Sequence, residues 1–273
     1  MRRTTRFTAL ILALVLALTL AGCGSDSFES AMVRALREMQ DVESVHADMA
    51  LDMAFGFDAL GESSSMDISM DMDMDTAGDL TSGELTMTLF GFPITAAYIA
   101  AKDGDTYDLY ISMDGGETWQ SQLDLSEEQL MNGANRYNLG TGVGDMVSFY
   151  LEFASNFGEA VDETVDGVEC SRYDGVFPGA QLTEALALSG GSSLAEIPEG
   201  TTLPDAPISF WLAKDDGLPR RITLDMTEAM GQYMTGVLSE SGVSEDLVSV
   251  TRIGITVDLS EYNTAEPMQV PAV

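Results

Sequence analysis

Two stretches of strict alternation leave this chain little choice of fold. Val45, Ala47, Met49, Leu51, Met53, Phe55 and Phe57 fall on one parity, against His46, Asp48, Asp52 and Gly56 on the other. After a turn over Gly61 to Ser65, Met66, Ile68, Met70, Met72 and Met74 alternate with Asp67, Ser69, Asp71, Asp73 and Asp75. A period of two belongs to a β-strand, whose successive side chains leave opposite faces. Two such strands joined by a short turn form an antiparallel ribbon with one side to bury. Glu84 to Phe90 supplies a third strand, with Leu85, Met87 and Leu89 set against Glu84, Thr86 and Thr88. Thr95 to Lys102, Thr106 to Met113 and Thr118 to Leu123 follow, parted by Asp103-Gly104-Asp105 and Asp114-Gly115-Gly116, both strong turn signals. Later strands are expected at Glu163 to Val176, folded at Asp166-Gly167, at Ile208 to Ala213, at Arg220 to Met226 and at Leu247 to Leu259.

Helices are the natural cover for such a face. Phe28, Met32, Leu36 and Met39 recur at helical spacing, and Ser or Asp residues just before them can cap the first free N–H groups. Ser126 with Gln129 suggests a capping box, and Asp145 to Phe157 and Ala180 to Leu188 read as further helices. Ser189 to Pro207 is rich in Gly, Ser and Pro and reads as a loop. Gly140 to Gly144 precedes a helix, but no apolar strand leads into it and no Lys follows, so it reads as a joint and not a phosphate loop. The expected class is α+β: an antiparallel sheet with helices packed on its apolar face.

The N-terminus sets the compartment. Arg2, Arg3 and Arg6 precede an uncharged apolar run, which ends in Leu20-Ala21-Gly22-Cys23. The run is too short for the ~20 apolar residues that cross a bilayer, and its layout is that of an export signal. It resembles the bacterial lipoprotein signal, in which the thiol after two small residues is acylated; an ordinary secretory site is instead A-x-A-like. The expected organisation is a signal over 1–22, a lipidated Cys23 with a tether to residue 27, and one domain over 28–273. That places the protein at the cell membrane, on the extracytoplasmic face. A tether of about 15 Å, at ~3.5 Å per extended residue, keeps the domain against the membrane.

Composition narrows the partners. With 45 acidic and 12 basic residues in 273, the formal charge is −33, and it becomes −36 once the three signal arginines are gone. Such a surface repels nucleic acid and anionic lipid alike, and no nucleic-acid partner is expected. Adaptation to salt or acid accounts for the acidity more simply than an acidic function. Two cysteines are present. Acylation of Cys23 leaves Cys170 without an intramolecular partner, so it is expected as a small buried residue in a strand.

A family resemblance enters through three pieces. The hairpin Phe210-Trp211-Leu212-Ala213-Lys214-Asp215-Asp216-Gly217-Leu218-Pro219-Arg220-Arg221-Ile222, the last strand running into Asp258-Leu259-Ser260-Glu261-Tyr262-Asn263, and the lipobox, helix and long-ribbon opening together resemble the LolA/LppX type of lipoprotein, including its acidic, Met-rich Gram-positive relatives. The resemblance implies a curved half-barrel with helices on the concave side. In characterised relatives it also implies an apolar cavity that carries acyl chains. Met49, Met53, Met70, Met72, Leu85 and Met87 are the residues expected to line such a cavity, with a lipid or acyl chain as ligand.

Other motifs point to structure before chemistry. Ser112-Met113-Asp114-Gly115-Gly116-Glu117-Thr118-Trp119 fits the Asp-box pattern, and a single copy without blade-length repetition indicates a turn device, not a propeller. Asp71, Asp73 and Asp75 begin like a calcium loop, but Thr76 stands where Gly is needed and Ser82 where Glu is needed. The Met ladder is compatible with Cu(I), yet no His or Cys accompanies the sulfurs. His46, the only histidine, lies on the polar face, and G-x-S-x-G is absent. No catalytic residues and no cofactor are expected. The alternatives to a lipid-binding lipoprotein are a structural or sensory surface lipoprotein with a filled core and, third, a Met-based metal binder.

Cys23→Ser is expected to leave the protein unacylated and unanchored or unprocessed. Two acyl chains at ~0.8 kcal/mol per CH₂ give on the order of 20 kcal/mol of attachment. Membrane fractionation and the mass of the N-terminal peptide check this.

Overall fold

In a computed structural model, the residues described are 27–59, 62–126, 151, 153–183, 202–240, 242, 244 and 247–271. Helix α1 (Phe28–Met39) opens the chain, with Ser27 at its N-cap accepting a hydrogen bond from the Ser30 N–H. Six strands then meander: β1 (Ser44–Ala59), β2 (Glu62–Ala77), β3 (Leu80–Leu89), β4 (Phe92–Asp103), β5 (Thr106–Ser112) and β6 (Gln120–Ser126). A 3₁₀ turn (Ala154–Asn156) leads to β7 (Val161–Val165), β8 (Val168–Phe177), β9 (Ala206–Ala213) and β10 (Pro219–Asp225). Helix α2 (Thr227–Glu240) and β11 (Val248–Ser260) complete it.

The eleven strands among the described residues belong to one antiparallel sheet in the order β6-β5-β4-β3-β2-β1-β11-β10-β9-β8-β7. Each half is a meander, and the halves join where β11 pairs with β1, Met49 opposite Val257 and Leu51 opposite Ile255. Among the described residues the strands at either end, β6 and β7, pair on one side only, so the sheet is open. One core cluster draws on α1, α2 and six neighbouring strands: Met74, Val45, Val257, Ile222, Phe210 and Tyr173 come from β2, β1, β11, β10, β9 and β8 in turn. The open sheet curves around the two helices, which lie on its concave side.

The centre of this core is aromatic. Phe28, on the first turn of α1, stacks on Phe157 at 3.7 Å between ring centroids and meets Tyr173 and Phe210 at 5.5 and 5.4 Å. Phe28, Tyr173 and Phe210 are all at least 98 % buried. Gly175 makes room for this arrangement, since a Cβ there would come within 2.5 Å of the Phe157 ring.

That packing corrects one expectation. The helix expected over Asp145 to Phe157 has ended before Phe157, which bridges to Gly175 in extended conformation. The stacking of Phe157 on Phe28 draws the chain out of the helix. Residues 145–150 and 152 lie outside the described residues, as do Gly140 to Gly144, Gln129 and 184–201. Ser126 closes β6. The helix expected from Ala180 begins at Gly179, whose N–H is capped by Asp205. Sequence reading passed over α2 entirely, although Ala229, Met230, Tyr233, Met234 and Val237 follow helical spacing. Its start is pinned by tertiary contact: Thr227 Oγ1 accepts the Ile253 N–H at 3.0 Å, and the Met226 N–H donates to the Ile253 carbonyl.

Two readings hold in detail. The Asp-box is a hairpin turn: Ser112 Oγ accepts the Gly116 N–H, Asp114 accepts from the Thr118 N–H and hydroxyl, and Trp119 Nε1 donates to the Gly116 carbonyl. The Thr118 and Ser112 hydrogen bonds lower the Asp114 pKa to about 2. Cys170 lies fully buried in β8, where burial pushes its thiol pKa up. Phe28→Ala should lower stability by about 3–5 kcal/mol, read as a drop in the urea midpoint.

Candidate functional site

The six residues expected to line a cavity lie together on the concave face of β1, β2 and β3. Register places Met49 beside Met72 and Met72 beside Leu85, and in the adjacent row Leu51 beside Met70 and Met70 beside Met87. Met53 lies beside Ile68, which lies beside Leu89. Antiparallel neighbours on one face have Cβ atoms about 5 Å apart, so the rows form one apolar surface. Met72 and Met70 are buried, whereas Met49, Met53, Leu85 and Met87 are half-buried. Leu51, Phe55, Phe57, Met66 and Ile68 extend the half-buried surface toward the β1–β2 turn. The concave side thus has two parts: the closed core, which runs from β8 to β11 and on to Val45 and Ala47 of β1 and Met74 of β2, and a looser apolar stretch over the remainder of β1 to β4.

One polar group is set into the looser stretch. Tyr98 of β4 faces Gly83 of β3, and its buried hydroxyl has no hydrogen-bond partner among the described residues. Burial, with the charges of Asp73 and Asp75 behind it, raises the Tyr98 pKa, so the group stays a neutral phenol. Gly83 admits the close approach of β2 here, since a Cβ would collide with the Asp73 carbonyl.

The convex side of the same strands is acidic. An open depression of about 210 Å³ lies over Asp48, Asp71, Asp73, Glu84 and Asp258. Cations gather on the other half of the sheet: Arg172 pairs with Glu163 and Asp174, Lys214 with Asp162, and Arg221 with both oxygens of Asp258 at 2.5 and 2.8 Å. On the acidic half, His46 lies with Nδ1 2.8 Å from Asp75 and Nε2 3.3 Å from Asp48. Donor atoms of His46, Asp48 and Asp73 lie within 4.8 Å of one another, close enough to share a cation, but both ring nitrogens are already engaged by carboxylates. Sequence reading missed this grouping because the strand register that sets His46 opposite Asp75 and Asp48 opposite Asp73 was needed to see it. Asp71, Asp73 and Asp75 lie on a strand face and form no calcium loop.

No helix among the described residues is long and apolar enough to cross a membrane. An open antiparallel sheet with helices in its concavity is the architecture expected from the LolA/LppX resemblance. No family model matches the sequence, and no curated protein matches it. Among solved structures, the chain is similar to the lipoprotein LppX of Mycobacterium tuberculosis, with 14% identity, 90% of this chain and 100% of that one covered, and a TM-score of 0.45. LprF from Mycobacterium bovis matches at 10% identity, 92% and 99% coverage and a TM-score of 0.43. A LolA superfamily protein from Nitrosomonas europaea matches at 10% identity, 90% and 95% coverage and a TM-score of 0.24.

His46 gives the acidic face a pH signature. Burial disfavours its charge, but the hydrogen bond to Asp75 and the charges of Asp48 and Asp73 outweigh burial and raise its pKa above the usual value. A raised folded-state pKa means stabilisation fully present below about pH 6.5 and lost as pH rises through the folded value. The difference in urea midpoint between the parent and His46→Gln should therefore shrink on going from pH 5 to pH 8.

Proposed function

We propose that this is a non-catalytic, extracytoplasmic lipoprotein, anchored through Cys23, whose domain over 28–273 holds an apolar ligand against the concave face of β1 to β4. The ligand class is a lipid or a lipoprotein acyl chain. One observation carries the reading: apart from the buried Met70 and Met72, the in-register rows of Met, Leu, Ile and Phe on β1 to β3 stay half-buried beside a closed core. Extended apolar surface of this kind marks binding sites more often than it marks bare surface. Thioether side chains suit a ligand without fixed shape, because they repack around it without hydrogen bonds. The Tyr98 hydroxyl offers that ligand one polar contact, for an ester or carboxyl oxygen. The filled core, which already reaches Val45 and Ala47 of β1 and Met74 of β2, supports the other reading, a structural or sensory lipoprotein, only if it continues over Met53, Leu85 and Met87 as well.

Burial within the ladder separates the two. Met87, half-buried, borders the looser stretch, and Met72 is 3% exposed. Met87→Asp should weaken binding of a fluorescent fatty acid at least tenfold with little change in the urea midpoint. Met72→Asp should lower stability by several kcal/mol, the cost of an ionisable group without a partner in an apolar site. A parent protein that binds no acyl probe, with both variants merely destabilised, would establish the filled-core reading.

A further inference from the structure

The turn between β3 and β4 is built from an unsuitable residue. Leu89 pairs with Phe92, so Phe90 and Gly91 form a two-residue loop, and both have positive φ, +52° and +78°. Such loops favour Asn-Gly or Asp-Gly, because Cβ crowds the following carbonyl in the left-handed region, and only Gly, or Asn and Asp with short polar side chains that bond locally, adopt it readily. The same molecule uses the favoured pair elsewhere: Asp166 and Gly167 join β7 to β8 with φ of +48° and +86°. Phenylalanine at position 90 thus carries backbone strain, and no burial offsets it. Phe90 is 68% exposed, Phe92 74% and Ile94 47%.

Charge singles out the same hairpin. From Leu85 to Ala101 there are seventeen consecutive residues without Asp, Glu, Lys or Arg, the longest such run after Cys23 in a chain with 45 acidic residues. The acidic side chains that keep the rest of the surface away from a bilayer are missing here. Two exposed aromatic rings at an uncharged tip match the interfacial layer of a membrane, where an apolar ring has somewhere to go. The two-residue loop requires positive φ at both positions, but nothing in the hairpin requires Phe at the first, and strained residues cluster at functional sites.

We propose that the β3–β4 tip, Phe90 to Ile94, inserts into the headgroup layer of a zwitterionic lipid bilayer and fixes how the domain sits on the membrane. The contact is independent of any ligand on the concave face. The tip adjoins that face through Leu89 and Met87, so the carrier reading would place the membrane at one end of the apolar surface.

The test is depth-dependent quenching on the full chain reconstituted in phosphatidylcholine vesicles. Phe92→Trp adds a reporter to the native Trp119 and Trp211, and Asp105→Trp adds one at the β4–β5 turn, at the other end of β4. In vesicles of brominated phosphatidylcholine, the indole emission added at position 92 should fall more than twofold, while that added at position 105 stays unchanged. Phe90→Gly in the Phe92→Trp background should raise the urea midpoint, because the strain is removed, and lower the quenching. Equal quenching at both positions, or none at position 92, would overturn the proposal. So would a blue shift of the reporter at position 92 that depends on protein concentration and not on brominated lipid, which would mean that a second copy of the chain covers the tip. A fall in midpoint on Phe90→Gly would show that Phe90 serves the fold instead.

Discussion

An antiparallel sheet that is apolar on one face cannot leave that face in water. At roughly 25 cal/mol per Å² of apolar surface buried, no hydrogen-bonding preference of the strands outweighs that requirement. Everything else in the molecule follows from how the face is covered. Over β8 to β11 the cover is α1 and α2, held by Phe28, Tyr233 and their aromatic neighbours, and the sheet bends to meet them. Over β1 to β4 the same alternation continues, but beyond Val45, Ala47, Met70 and Met72 most of the inward side chains are only half-buried. Fold and function are therefore one problem, and the proposed carrier role rests on the unevenness of the cover.

The convex face shows the other half of that constraint. Each Met of β2 that points inward is followed by an Asp that points outward, so the apolar rows and the acidic depression are two sides of one strand. Pairing on the β7 to β11 half neutralises much of the charge, with Arg221 gripping Asp258 and Arg220 stacked over Tyr262 at 4.8 Å. On the β1 to β3 half, His46 sits among carboxylates that hold it toward the protonated form. Surface repulsion of this size discourages self-association along the convex side and keeps anionic surfaces away. It also makes the uncharged tip of the β3–β4 hairpin conspicuous.

The strands were legible in the sequence because alternation is a local signal. Val45 to Phe57, Met66 to Asp75 and the hairpin ending at Ile222 all lie where the period of two placed them. Helix α2 was not read, since Gly231 and Gly236 interrupt it and its start depends on Ile253 of a strand twenty-six residues later. Phe157 left its expected helix for a ring-on-ring contact with Phe28, a partner more than a hundred residues away. The Met rows were legible as a face, but which of them are buried was not: Met72 and Met87 look alike in sequence and differ because one sits toward the core and the other toward the open stretch. The His46 grouping and the strain at Phe90 needed register and dihedral angles, neither of which periodicity supplies.

The proposed carrier role requires an apolar ligand on the concave face of β1 to β4. Lipid mass spectrometry of the protein purified from its own membranes should find an extractable acyl lipid near one equivalent per chain, in addition to lipid covalently attached at Cys23. Purified protein that holds its native fold and yields no extractable acyl lipid would contradict that role.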